Sequence, residues 1–196
     1  MTELVPIPSP GIPLFYGDPG NPVVIVLHDW YGRLPGLDSF AEALASRGLR
    51  VAVPDLYQGV CTTDAATAES LMTSLDLSTA LAEVDDAIAQ AQDTGDERVA
   101  IVGFSMGGWL GLLHAQGGSV DAVVAYYASL SEAEHGVIPC PVLFQRAEVD
   151  VGAWQGAGHD VHSIVVDGTG LFVGPADFHL VDGAAQVSAI VQASPG

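Results

Sequence analysis

The stretch "VAIVGFSMGGWLG", residues 99–111, decides the fold, because it passes from a run of small and β-branched residues through a glycine-flanked serine into an apolar segment. Five all-apolar residues before Phe104 read as a strand buried on both faces, and "GGWLGLLHA" after the serine reads as a helix. A strand that turns directly into a helix is the unit of a parallel sheet with crossover helices.

The same pattern repeats outward. Continuous apolar runs at 22–28, 49–56, 98–104, 120–128, 141–146 and 162–168 are the candidate strands. Between them lie helical patterns. In "LDSFAEALASRG", Leu37, Phe40, Ala41, Leu44 and Ala45 share one stripe and Gly48 supplies a stop. Residues 77–95 carry Leu77, Leu81, Val84, Ile88 and Ala91 at helical spacing, a third helix starts at Ser105, and a fourth spans 181–193. The expected fold is α/β: a mostly parallel twisted sheet with helices on both faces, in one compact domain over residues 1–196. Functional groups of such a sheet gather beyond the carboxyl ends of its strands. That rule selects "HDWYGR", "GFSMGG", "AEVD" and the loop after "SIVVDG".

Composition excludes several classes. Five Lys+Arg, all of them arginine, stand against 24 Asp+Glu, for a net charge of -19. Such a surface repels phosphate backbones and anionic membranes, so no nucleic-acid or membrane partner is expected. Cys61 and Cys140 lack any metal-ligand spacing, and neither a metal nor an organic cofactor is implied. The N-terminal segment has no basic stretch before an apolar core, and the expected setting is cytoplasmic, as a monomer or homodimer.

"G-F-S-M-G" fits the G-x-S-x-G elbow, in which a serine nucleophile sits on a tight strand-to-helix turn and the following helix N-terminus faces a developing oxyanion. The segments at 23–59, "LMTSLD", "VAIVGFSMGGW", "VDAVVAYYA" and "CPVLFQRAEVD", in that order, resemble the dienelactone hydrolase family of the α/β-hydrolase fold. The resemblance implies a small carboxylic ester, lactone or thioester substrate cleaved through an acyl-enzyme on Ser105. The family usually carries cysteine in the elbow. A serine hydroxyl, unlike a low-pKa thiol, needs a base beside it when it attacks.

The resemblance places the triad carboxylate at Asp150, with Glu148 as its neighbouring alternative. It also implies a histidine in a Gly-Thr-Gly-His-Leu-Phe pattern, where this chain reads Gly168, Thr169, Gly170, Leu171, Phe172. The histidine is skipped. His159 in "QGAGHD" copies the motif, but no strand separates it from the acid turn. His162 begins the last strand, at the end remote from the site. His179, between that strand and the last helix, is the base taken forward, and chain order then runs serine, acid, histidine.

By the same resemblance the oxyanion donors are the backbone N–H groups of Met106 and Trp30, and His28 shapes the loop that carries Trp30. Asp29 stands where the family has glutamate, and Asp29, Tyr31 and Trp109 are the candidate pocket residues. Arg33 and Arg146 cannot be matched to arginines that would hold a substrate carboxylate. A second reading is a hydrolase-fold protein that has lost catalysis and binds a ligand or partner, motivated by the skipped histidine. A flavodoxin-like nucleotide binder is disfavoured by the absence of a phosphate-loop pattern.

Overall fold

The computed structural model of the chain describes residues 4–92, 98–146 and 161–165. Among these residues seven strands form one sheet: β1 (Leu14–Tyr16), β2 (Val23–Leu27), β3 (Arg50–Val53), β4 (Val99–Phe104), β5 (Ala122–Tyr126), β6 (Val142–Arg146) and β7 (Val161–Val165). Their order is β1-β3-β2-β4-β5-β6-β7, with β1 antiparallel to β3 and every other pair parallel.

Each strand expected from an apolar run is present. Its length is trimmed where chemistry interrupts the ladder: β3 ends at Val53 because Pro54 has no N–H to donate. β1 was not expected, since it is three half-buried residues in a segment rich in Pro and Gly. It caps the edge of the sheet beside β3.

The sheet separates two apolar layers. In β2, Val23, Ile25 and Leu27 face one layer, and Val24 and Val26 face the other. The first layer is covered by α3 (Leu77–Ala91) and α4 (Met106–Ala115), and the second by α1 (Gly36–Ala45) through Phe40, Ala41 and Leu44. The expected stripe on α3 shifts. Ala80, Val84, Ala87, Ile88 and Ala91 are buried, whereas Leu77, in the first turn, is 40% exposed. Small alanines let this helix lie close to the sheet, so its longer leucines end up at the margin.

A further helix, α2 (Ala65–Ser74), has only Ala68 buried and so lacks an apolar stripe to announce it. Its start is nevertheless written in the sequence: Asp64 accepts from the Thr67 N–H at 2.8 Å as an N-cap. Asp76 caps α3 in the same way through Thr79 at 2.8 Å. The helix expected over 181–193 lies outside the described residues.

Topology fixes where a site can form. From β2 the chain crosses to β3 on one side and later returns to β4 on the other, so strand order reverses between β2 and β4. Beyond the carboxyl ends of these two strands the crossovers diverge and leave a crevice.

Candidate active site

The crevice is bordered by the turn after β4 and the loop after β2. Ser105 occupies the turn, exposed, with φ 50° and ψ -112°. A serine side chain at positive φ costs about 1–3 kcal/mol and persists only where surrounding contacts over-determine it. Here they do. Ser105 N–H donates to the Tyr126 carbonyl at 2.7 Å, tying the turn to the end of β5, and the Ser105 carbonyl accepts from Trp109 N–H at 2.9 Å, starting α4.

Two glycines make this geometry sterically possible. A Cβ on Gly103 would lie 2.2 Å from the Gly107 carbonyl oxygen, and one on Gly107 would lie 2.4 Å from that of His28. The first turn of α4 therefore packs directly on the backbone at the end of β2. Met106, first residue of α4, presents an N–H that no helical carbonyl can reach, beside the positive end of the helix dipole. A negative oxygen on a group attached to Ser105 would find a donor there.

The loop after β2 is held by buried polar groups. His28 is fully buried. Its Nδ1 lies 2.7 Å from the Asp29 carbonyl oxygen and its Nε2 accepts from Leu56 N–H at 3.2 Å, which defines a neutral ring with the proton on Nδ1. Burial lowers its pKa to about 4, against the raising effects of that hydrogen bond and of Asp55. The ring bridges the loops after β2 and β3, in keeping with the role implied for it. Asp29 Oδ1 accepts from Tyr31 N–H at 2.8 Å, and burial raises its pKa to about 6 against this hydrogen bond. Between them sits Trp30, half-buried, its ring edge-on to Tyr31 with centroids 5.2 Å apart.

Arg33 turns out to be a structural residue. It is 2% exposed, and its guanidinium donates to the carbonyl oxygens of Pro8, Ser9, Ile12 and Val53, with Asp55 at 3.9 Å. Asp55 in turn accepts from the N–H groups of Gly11 and Gly59 at 2.8 and 2.6 Å. With both terminal nitrogens engaged by backbone carbonyls and its Nε buried, Arg33 presents no exposed donor to a substrate carboxylate.

Of the other candidates, Trp109 is half-buried and its Nε1 donates to Glu134 at 3.1 Å, which joins α4 to the turn after β5. His114 is buried with Nε2 2.8 Å from Asp85, and His135 Nε2 lies 3.2 Å from the Leu130 carbonyl oxygen, so both are engaged away from the turn. His162 is the second residue of β7, paired with Leu143 near the amino end of the parallel strand β6, whereas Ser105 follows the carboxyl end of β4. Asp150, Glu148, His159 and His179 lie outside the described residues. Among the described residues no group of His, Cys, Asp and Glu forms a metal site. No helix among them is long and apolar enough to cross a membrane.

One residue next to the turn escaped the sequence reading. Tyr57 is 8% exposed, its hydroxyl donates to Met106 Sδ at 3.1 Å, and its ring lies 5.0 Å from that of His28. "PDLYQG" was visible as part of a family pattern, but nothing in it assigned the tyrosine to the elbow.

The dienelactone hydrolase family model matches residues 14–167 of the chain. Protein usf of Aquifex pyrophilus is 28% identical over 145 residues, which cover 67% of this chain and 62% of that protein, so less than two thirds of the relative's length is aligned. A dienelactone hydrolase-like promiscuous phosphotriesterase from metagenomic libraries superposes with a TM-score of 0.76 at 19% identity, over 100% of this chain and 99% of its own. A candidate dienelactone hydrolase from Klebsiella pneumoniae subsp. pneumoniae MGH 78578 gives a TM-score of 0.74 at 21% identity, over 98% of both chains. At these identities the likeness is one of fold, the α/β-hydrolase fold.

Proposed function

The chain belongs to the dienelactone hydrolase family, and from that membership we propose that it is a serine hydrolase cleaving small carboxylic esters, lactones or thioesters through an acyl-enzyme on Ser105. The observation that carries the reading is the exposed Ser105 at φ 50°, held at the N-terminus of α4 by the crevice-forming ends of β2, β4 and β5.

In this reading Ser105 Oγ attacks the acyl carbon while a histidine, His179, takes its proton and Asp150 orients the ring. The oxygen that becomes negative is held by Met106 N–H and Trp30 N–H. Collapse of the tetrahedral intermediate expels the alcohol, which leaves with the proton from the histidine. Water, activated by the same base, then cleaves the acyl-enzyme and regenerates the serine. His28 cannot stand in as base: both its nitrogens are committed and burial holds it neutral.

A neutral substrate fits better than a dienelactone carboxylate, since Arg33 is spent on backbone carbonyls. A fluorophosphonate probe with peptide mapping tests the proposal. Labelling at Ser105 is expected, lost in Ser105→Ala and reduced at least a hundredfold in rate in His179→Ala. Absence of labelling together with no turnover of short activated esters would sink the hydrolase reading in favour of a catalytically impaired binding protein.

A further inference from the structure

A side-chain hydrogen bond reaches from the loop after β3 to the turn after β4. The Tyr57 hydroxyl donates to Met106 Sδ at 3.1 Å, and because a thioether carries no hydrogen the tyrosine must be the donor. Burial first, and then the Asp29 carboxylate, raise the Tyr57 pKa, so the hydroxyl keeps its proton.

The loop that delivers Tyr57 is closely tied. Gln58 N–H donates to the Asp55 carbonyl at 3.2 Å, Val60 N–H donates to that of Tyr57 at 3.2 Å, and Asp55 Oδ2 accepts from Gly59 N–H at 2.6 Å. A Cβ on Gly59, at φ 96°, would lie 2.5 Å from Pro10 Cβ, so the N-terminal segment packs against the turn from outside. The same loop is fixed to the end of β2. Leu56 N–H donates to His28 Nε2 at 3.2 Å, and the Tyr57 ring lies 5.0 Å from the His28 ring at 56°.

Tyr57 thus touches one residue on each side of the crevice: Met106, whose N–H heads α4, and His28, two residues before Trp30. The elbow has a strain for that contact to resist. At φ 50° and ψ -112° Ser105 holds a conformation that persists only while its neighbours enforce it. A Met106 side chain buried in the first apolar layer and pinned at its sulfur resists rotation of the peptide between Ser105 and Met106. That peptide carries the N–H an oxyanion on Ser105 would use.

We propose that Tyr57 is a positioning residue of the hydrolase: through Met106 it keeps the Met106 N–H aimed at the oxyanion, and through His28 it keeps that donor in register with the loop that carries Trp30. The proposal rests on the Ser105 reading. Tyr57 itself is given no contact with substrate, so its loss should act on the chemical step and not on binding.

In Tyr57→Phe the ring against His28 stays and the hydrogen bond goes. Removing an oxyanion donor outright lowers kcat by about 10²–10³; displacing one should cost less, and for p-nitrophenyl acetate kcat is expected to fall roughly tenfold with KM unchanged. The rate of fluorophosphonate labelling at Ser105 should fall by the same factor. Met106→Leu keeps the bulk, removes the acceptor and strands a buried hydroxyl, so it should fall at least as far. Tyr57→Phe with Met106→Leu should then return to the Tyr57→Phe value, because both changes remove the same bond. A tyrosine that only filled space would lower the urea midpoint and leave kcat alone. Parental kcat and labelling rate in Tyr57→Phe, a raised KM at parental kcat, or losses that multiply in the double variant would each overturn the role; where Met106→Leu does not fold, the split between kcat and KM in Tyr57→Phe decides. A parent chain that neither labels nor turns over short activated esters removes the Ser105 reading itself, and the positioning role with it.

Discussion

The two banks of the crevice are built by opposite means. On the β4–α4 bank, Ser105 is positioned by backbone hydrogen bonds and by glycines that let α4 touch the end of β2. On the β2–β3 bank, the loop carrying Trp30 is positioned by buried polar side chains: His28, Asp29, Arg33 and Asp55. The first bank is fixed by shape, which pH does not change, and the second by groups whose charge has to be matched. A serine held by shape and a Trp30 loop held by buried polar groups should therefore fail under different insults.

The steric bank breaks hardest. In Gly107→Ala the new methyl would fall 2.4 Å from the His28 carbonyl oxygen and 2.5 Å from that of Leu27, both backbone atoms that cannot yield without parting α4 from β2. Loss of folded protein, or a folded chain unreactive to the fluorophosphonate probe, is expected. Gly111→Ala is the calibrating contrast, since its methyl meets the Ile101 side chain at 2.7 Å. Overpacking there should cost about 1–3 kcal/mol in urea denaturation and spare the elbow. Equal effects for the two variants would refute the assignment of backbone contact as the controlling feature.

The charged bank comes next. Arg33→Met removes the donors for four carbonyls and leaves Asp55 buried opposite an apolar chain. Breaking a buried pair from one side costs about 3–5 kcal/mol. The midpoint of urea unfolding should fall accordingly. Arg33→Met with Asp55→Leu should recover part of the loss, because it removes the orphaned charge as well; a double variant less stable than either single one would argue against the pair.

Legibility in the sequence follows the same division. Strands β2 to β7 and α1, α3 and α4 were readable from the length and period of their apolar runs, whereas β1, three half-buried residues, was not. The elbow was readable for a related reason: Gly103, Gly107 and Gly108 mark close backbone approach around Ser105. The charged bank was not. Arg33 could not be matched to any role from the sequence, because its partners at Pro8, Ser9, Ile12 and Val53 are backbone carbonyls, which any sequence supplies. Tyr57 was hidden likewise, its hydroxyl meeting a methionine sulfur 49 positions away. α2 escaped because Ala68 is its one buried residue, which leaves the Asp64 cap as the mark of its start. Asp150, implied by the family resemblance, and His179, from its place between the last strand and the last helix, remain readings of the sequence.

The smallest expected effect is the one that isolates charge from shape. His28 and Asp29 are adjacent, both buried, and displaced in opposite senses from their ordinary values. For His28, pKa 6.5 falls to about 4, so its contribution to stability is full above pH 6.5 and is lost as pH drops toward 4. For Asp29, pKa 3.8 rises to about 6, so its contribution is full below pH 3.8 and is lost as pH rises through 6. Each displacement corresponds to roughly 3 kcal/mol, and between pH 4 and 6 the two slopes largely cancel. Asp29→Asn keeps the acceptor for Tyr31 N–H but has no charge to bury. It should be more stable than the parent by about 2–3 kcal/mol at pH 7, an advantage that vanishes toward pH 4. His28→Gln should be less stable at pH 7, with its deficit shrinking by about 3 kcal/mol at pH 4, because between these values the parent's imidazole gains a proton when unfolded that burial denies it when folded. Urea denaturation at pH 4, 5, 6 and 7 reads both trends. A pH-independent offset for either variant would show that shape holds this bank too, and that the two sides of the crevice are alike.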